Sequence, residues 1–214
     1  MPIKTSDREY RNMAVMEARN LDVDGKKTVE GYATTFNDEY LLWDDGEYAV
    51  MESIDRHAFD RTDMADVIMQ YDHMGRVIAR TKNDTLQLDP DDHGLKVTAN
   101  LAGTELGRQL YKEIEGGYTD RMSFGFTVAS EERTEERDNV SNKTIIHRKI
   151  TGIKKLYDVS AVSLPANDAT EISARSCGEG VIDAARQEVA AAIERRRRIQ
   201  RIRILMEVSK HENH

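Results

Sequence analysis

Ser123 stands in Met122-Ser123-Phe124-Gly125-Phe126. Strand alternation there sends Met122, Phe124 and Phe126 to one face and Ser123, Gly125 and Thr127 to the other. The aromatic face would pack on a core. The opposite face offers a small hydroxyl beside a glycine, open space that a nucleophile needs if a carbonyl is to approach it. A strand serine facing solvent, with Gly125 as a bulge, has the same signature. His73 follows the apolar run Val67-Ile68-Met69-Gln70-Tyr71 and precedes Gly75. An imidazole at a strand end, with a pKa near neutrality, suits a general base; a surface-loop histidine would look alike. Asp158 lies in Leu156-Tyr157-Asp158-Val159-Ser160-Ala161-Val162-Ser163. Alternation groups Leu156, Asp158, Ser160 and Val162 on one face, and Tyr157, Val159, Ala161 and Ser163 on the other. Both faces carry apolar groups, so the strand is expected to be central and partly buried. A carboxylate there needs a partner. A histidine to be oriented is one choice, and a salt bridge to a nearby Lys or Arg, such as Lys154 or Lys155, is another.

Other chemistry has less support. His57, His93 and His147 compete for the base role, but His93 sits in a turn beside Gly94 and His147 lies among charged residues. The sequence contains no HExxH helix, cysteine knot, EF-hand loop, Walker loop or dinucleotide fingerprint. Asp89, Asp91, Asp92 and His93 form an acidic turn that has the residue types to hold a cation, though turn solvation is the simpler reading. No metal or cofactor is expected.

Positioning these residues falls to a predicted α+β body with mostly antiparallel strands. Strands are predicted over 28–36, 48–51, 67–71, 122–129 and 145–164, with a short helix around 56–62. A hairpin pairs 85–88 with 95–100 around Asp89-Pro90-Asp91-Asp92-His93-Gly94. Thr104 caps a helix to Glu115, with Leu106, Leu110 and Ile114 on one face and Gly116-Gly117 as its stop. The polar stretch 130–144 reads as a mobile loop.

The 214 residues fit one globular domain plus an appendage. Residues 1–27 read as an N-terminal arm and 28–176 as the domain. The tail, 177–214, is Arg-rich; its stretch 181–208 lacks Gly and Pro and is helical by propensity. Ile182, Ala185, Val189, Ile193, Ile199, Ile202 and Met206 could form one apolar stripe along it. The tail carries eight basic and six acidic residues, for +2, and the rest of the chain −10. The overall charge of −8 gives no global signal for nucleic-acid binding. No stretch is long and apolar enough for a membrane span, and 1–11 lacks an apolar signal core, so a cytosolic protein is expected. Cys177 is the single cysteine, which excludes an internal disulfide.

The order of these segments resembles the prohead, or capsid maturation, serine proteases of tailed bacteriophages, distant relatives of the herpesvirus assembly protease, assemblin. The landmarks are Val29-Glu30-Gly31-Tyr32-Ala33, Glu52-Ser53-Ile54, Ala58-Phe59-Asp60, then His73 and Ala79-Arg80-Thr81. They continue with Thr85-Leu86-Gln87-Leu88, Asp92-His93-Gly94-Leu95 and Gly116-Gly117. The most specific are Met122-Ser123-Phe124-Gly125-Phe126 and Asp158-Val159-Ser160-Ala161-Val162, which runs to Pro165-Ala166.

That resemblance implies an assemblin-like, mostly antiparallel β-barrel core with flanking helices. It implies Ser123 as nucleophile, His73 as general base and Asp158 as third member. The implied substrates are the major capsid protein, scaffold or delta segments, and the protease itself. The implied place is the assembling prohead in the host cytoplasm, as a homodimer requiring neither nucleic acid nor membrane. The competing expectation is a non-enzymatic capsid assembly or scaffold protein that keeps the protease fold, with the tail as a docking helix.

Overall fold

A computed structural model describes residues 8–19, 27–162 and 168–211, and its fold is α+β. The strands are β1 (Glu9–Arg19), β2 (Thr28–Thr35), β3 (Tyr40–Asp44), β4 (Tyr48–Ile54), β5 (Ile68–Tyr71), β6 (Met74–Arg80), β7 (Leu86–Pro90), β8 (Gly94–Asn100), β9 (Arg121–Asp138) and β10 (Lys143–Val162). Helix α1 spans Glu105–Glu115 and α2 spans Asp168–His211. The expected helix at 56–62 is instead a run of turns. Asp55 holds that run locally, accepting the His57 backbone N–H at 2.8 Å.

The sheet order is β3-β4-β10-β9-β1-β2-β8-β7, with β5 and β6 branching from β10. Two strands share one edge of β10: β4 runs parallel to residues 144–150 and β5 parallel to 158–161. β9 takes the other edge along the whole length. β1, from the stretch read as an arm, lies between β9 and β2.

The sheet curls around one core. Val29, Leu95, Val97 and Leu101 from its β2–β8 side meet Ile54, Phe124, Phe126, Ile153 and Leu156 from its β4–β10 side. The Phe124 and Phe126 rings stack at 4.8 Å. The curl brings the end of β2 to the end of β4, where Asn37 N–H donates to the Ile54 carbonyl at 2.8 Å. The expected barrel does not close, however. Among the described residues β7 pairs only with β8, β6 pairs only with β5, and no ladder joins them. Because β4 and β5 occupy one edge of β10 in succession, the sheet forks rather than meeting itself.

Helix α1 behaves as its sequence predicts. Thr104 Oγ1 accepts the Gly107 N–H at 2.9 Å, a cap worth about 1 kcal/mol. Leu110, Tyr111 and Ile114 are buried, and Gly117 adopts a left-handed φ of 72° just beyond the end.

The stretch 130–144 is not a loop. It is the far half of a long hairpin joining β9 to β10. Its charges pair across strands: Arg148 Nε donates to Glu131 at 2.7 Å, and His147 lies 3.6 Å from Glu136. Asp138 turns the chain by accepting the Val140 N–H at 2.9 Å. High polarity here marks a solvated ribbon rather than an unstructured segment.

Helix α2 lies on a second, smaller core. Val181, Ile182 and Ala185 pack against Leu42, Val50 and Ile146 of β3, β4 and β10. Gly178 allows this approach, since a β-carbon there would stand 2.3 Å from Trp43 Cβ. Beside it sits a buried charge cluster. Arg11 Nε donates to Glu52 Oε1 at 2.5 Å, and Arg148 Nη1 donates to Glu52 Oε2 at 2.5 Å and to Glu9 at 2.9 Å. Tyr40 also donates to Glu52, and Cys177 lies 3.1 Å from Arg148. The expected apolar stripe divides: Ile182 and Ala185 are buried, whereas Val189, Ile193, Ile199 and Ile202 are exposed. The Met206 side chain lies outside the described residues. Among the described residues, no helix is long and apolar enough to cross a membrane.

Candidate active site

Ser123 projects from β9 as alternation requires. In the β9–β10 ladder it stands opposite Ser160, and Gly125 stands opposite Asp158. Residues directly opposite in an antiparallel pair share a face, so all four lie on the side away from the core. The intervening pairs, Phe124 with Val159 and Met122 with Ala161, are buried in the core.

One detail departs from simple alternation. The register shifts between Leu156 and Asp158, which makes Tyr157 an extra residue in β10. Leu156 therefore packs in the core with Val159 and Ala161, while Asp158 stays on the outer face. The expectation that Leu156 and Asp158 share a face fails at this bulge.

His73 comes from a different device. The β5–β6 hairpin pairs Tyr71 with Met74, leaving Asp72 and His73 as its two turn residues. Both have left-handed φ values, 47° and 58°. Two positive φ values are the mark of a tight hairpin turn that normally takes Asn-Gly or Asp-Gly. Histidine at the glycine position costs backbone energy on the order of 1 kcal/mol or more. The backbone is tied down by the Asp72 N–H, which donates to Ala161 O at 2.9 Å.

The turn carries the imidazole to both other residues. His73 Nε2 lies 2.6 Å from Ser123 Oγ, and Nδ1 lies 3.1 Å from Asp158 Oδ1. A carboxylate only accepts, so the Nδ1 contact places the proton on Nδ1 and leaves Nε2 as the acceptor of the serine hydroxyl. The three side chains thus form a serine–histidine–carboxylate chain. The other candidate histidines have different partners: His57 bonds Asp60 at 3.1 Å and His147 bonds Glu39 at 2.6 Å. His93 packs edge-on against Tyr32.

The alternative partner for Asp158, a basic side chain, is present as well, but it is not Lys155. Lys155 instead bonds Asp63 at 2.9 Å. The second partner is Arg8, whose Nη2 donates to Asp158 Oδ2 at 2.5 Å. Its guanidinium lies 4.6 Å from the Tyr157 ring centre and 5.0 Å from that of Tyr10. Tyr10 in turn meets the His73 ring edge-on at 4.5 Å. Arg8 and Tyr10 were not singled out in the sequence. A basic and an aromatic residue in a polar N-terminal stretch carry no local sign that β1 will insert beside β9.

Gly125 has a clear purpose, though not the expected one. A β-carbon there would stand 2.7 Å from both Asp158 Oδ1 and Tyr10 Cε1. The space beside Ser123 is filled by these groups. Ser123 itself exposes none of its surface, and only 4% of the His73 side chain is exposed. A carbonyl therefore reaches Oγ only after the groups over it move.

Residues 14–181 match the family model of caudovirus prohead serine proteases. The chain belongs to that family. No curated protein and no solved structure gives a significant match. Membership in the prohead protease family supports a role in capsid maturation within the assembling prohead of the host cell. The matched segment contains Ser123, His73 and Asp158, and it begins after Arg8 and Tyr10.

Among the described residues of this member of the prohead protease family, one other cluster has metal-binding residue types. Ligand atoms of Glu9, Glu52 and Cys177 lie within 4.8 Å of one another. Arg11 and Arg148 already donate to both carboxylates, so a cation there would face two guanidinium charges. The acidic turn is likewise explained without a metal: Asp91 accepts the His93 and Gly94 N–H groups and the Tyr32 hydroxyl.

Proposed function

We propose that this chain is a serine endopeptidase in which Ser123 is the nucleophile, His73 the general base and Asp158 the residue that orients His73. The observation that carries the reading is the 2.6 Å contact between His73 Nε2 and Ser123 Oγ, continued to Asp158 through Nδ1. Ser123 Oγ attacks a peptide carbonyl while Nε2 takes its proton. Asp158 stabilises the imidazolium that results. His73 then returns the proton to the leaving amine, and water releases the acyl-enzyme by the same steps in reverse roles.

The substrates proposed are scaffold and delta segments of the major capsid protein, together with the protease itself, and the active species proposed is a homodimer of assemblin-like fold. The basis for these is the family's role in capsid maturation.

A second reading is a non-enzymatic assembly protein that keeps the fold. The complete burial of Ser123 favours it.

Mass spectrometry separates the two. Wild type and Ser123→Ala are incubated alone and with capsid and scaffold proteins. The expected result is new termini with wild type only, and a loss of at least about a thousandfold in rate for Ser123→Ala and His73→Ala. Asp158→Asn should lose less. Near-normal cleavage by Ser123→Ala would end the proposal, and no cleavage by folded wild type would favour the assembly role.

A further inference from the structure

A cavity of about 470 Å³ opens between β6 and α1, beside the catalytic turn. Asp72 and Met74, the two neighbours of His73, both line it. Met74, Arg76 and Ile78 alternate onto it from one face of β6, and Leu106 and Leu110 face them from α1.

The lining is apolar where it need not be. Met74 is 72% exposed and Leu106 43% exposed, although Leu110 and Ile114 on the same helix stripe are buried. The stripe of α1 thus runs out of the core and into this cavity. Single exposed apolar side chains are ordinary on any surface. Here Tyr71, Met74 and Leu106, all exposed, converge on one concavity next to a catalytic base. Its volume falls in the range of small-ligand sites, roughly 300–1,000 Å³.

We infer that this cavity is a substrate subsite that receives an apolar side chain of the scissile peptide. The inference rests on the protease reading above and names its specificity. The peptide position is bounded by geometry: the carbonyl attacked must sit at Ser123 Oγ, which is 2.6 Å from His73 Nε2. Both chain neighbours of His73 line the cavity, so the side chain received belongs to a residue near the cleaved bond. A docking edge is at hand, because among the described residues β6 pairs only with β5. A peptide added along its other edge would send alternate side chains to one face, as in strand-addition recognition. Arg76 stands in the lining against Asp72 and Glu113, a net charge of −1 that disfavours an acidic side chain.

The test is cleavage of a proteome-derived peptide library by wild type, Met74→Ala and Leu106→Lys, with the cut sites read by mass spectrometry. Wild type should show an apolar residue at one fixed position near the cut. Leu106→Lys should shift that position toward Asp and Glu, changing the ratio of kcat/KM for matched Leu and Glu peptides by tenfold or more. Met74→Ala should reduce the apolar preference severalfold. A gain of acidic preference cannot arise from misfolding. Ser123-dependent cleavage with no fixed apolar position, or with the same profile in all three proteins, would overturn the subsite and leave the protease reading standing. No Ser123-dependent cleavage, together with no fluorophosphonate labelling of Ser123, would remove the protease reading and the subsite with it.

Discussion

Gly125 and Asp158 face each other across the β9–β10 ladder, and a β-carbon at 125 would stand 2.7 Å from Asp158 Oδ1. That oxygen is the one His73 uses. Gly125→Ala should push the carboxylate off the imidazole while leaving Ser123 in place. The expected outcome is a fall in kcat of roughly 10–100-fold, as for a displacement of about 1 Å in a catalytic group. Overpacking should cost about 1–3 kcal/mol of stability. Kinetics on a mapped substrate and urea unfolding check the two effects separately. Unchanged kcat would mean that Asp158 does not act through His73.

Tyr10 packs edge-on against His73 while Ser123 is wholly buried. Removing the ring should raise the fraction of molecules in which Oγ can be reached. One aromatic contact is worth up to about 1.5 kcal/mol, so Tyr10→Ala should speed fluorophosphonate labelling of Ser123 by up to about tenfold. The labelling rate of intact protein, followed by mass spectrometry, reads this directly. A slower rate would show that Tyr10 orients His73 more than it covers it.

Burial alone would push the Glu9 carboxyl up, but the Arg148 hydrogen bonds and the Arg11 and Arg148 charges outweigh it and bring the group down to about 2 from 4.5. The folded pKa is below the unfolded one. The stabilisation is therefore present above about pH 4.5 and is lost as pH falls toward about 2. Its size is on the order of 3 kcal/mol. Urea midpoints at steps between pH 6 and pH 3 should fall more steeply for wild type than for Glu9→Gln. Parallel curves would show that Glu9 is not part of the acid transition. Glu52 adds to the same trend: despite its burial, Arg11 and Arg148 keep its carboxyl low.

Cys177 reports on the docking of α2. Burial pushes its thiol up to about 11, against the pull of Arg11 and Arg148. Thiolate is the reactive form, so Ellman's reagent should modify native Cys177 slowly. A chain of residues 1–187 keeps the segment containing Val181, Ile182 and Ala185 and should unfold near the full-length midpoint. A chain of residues 1–176 uncovers Val50 and Ile146 and should lose on the order of 4–6 kcal/mol. Equal midpoints for the two truncations would mean that the helix contributes little to the fold.

Much of the machinery is local and legible in the sequence. A period of two places the Ser123 hydroxyl away from Met122, Phe124 and Phe126, and these three are buried as that period requires. Pro, Asp and Gly form the β7–β8 turn, Thr104 caps α1, and the tail is helical. Each outcome depends on residues a few positions apart, which is the range over which backbone sterics, caps and alternation act. Tertiary structure decided the rest. His73 and Ser123 are 50 residues apart, and His73 and Asp158 are 85 apart. Their meeting depends on β5 and β9 lying beside β10, which no local pattern specifies. The extra residue Tyr157 reverses the parity of its strand, so that Leu156 turns inward and Asp158 outward. Residues 130–144 look unstructured until the facing strand supplies opposite charges. Arg8 and Tyr10 gain a role only because β1 lies against β9. A strand's partner, register and bulges are set by packing across the whole chain, and that is why these features had to be read from the folded structure.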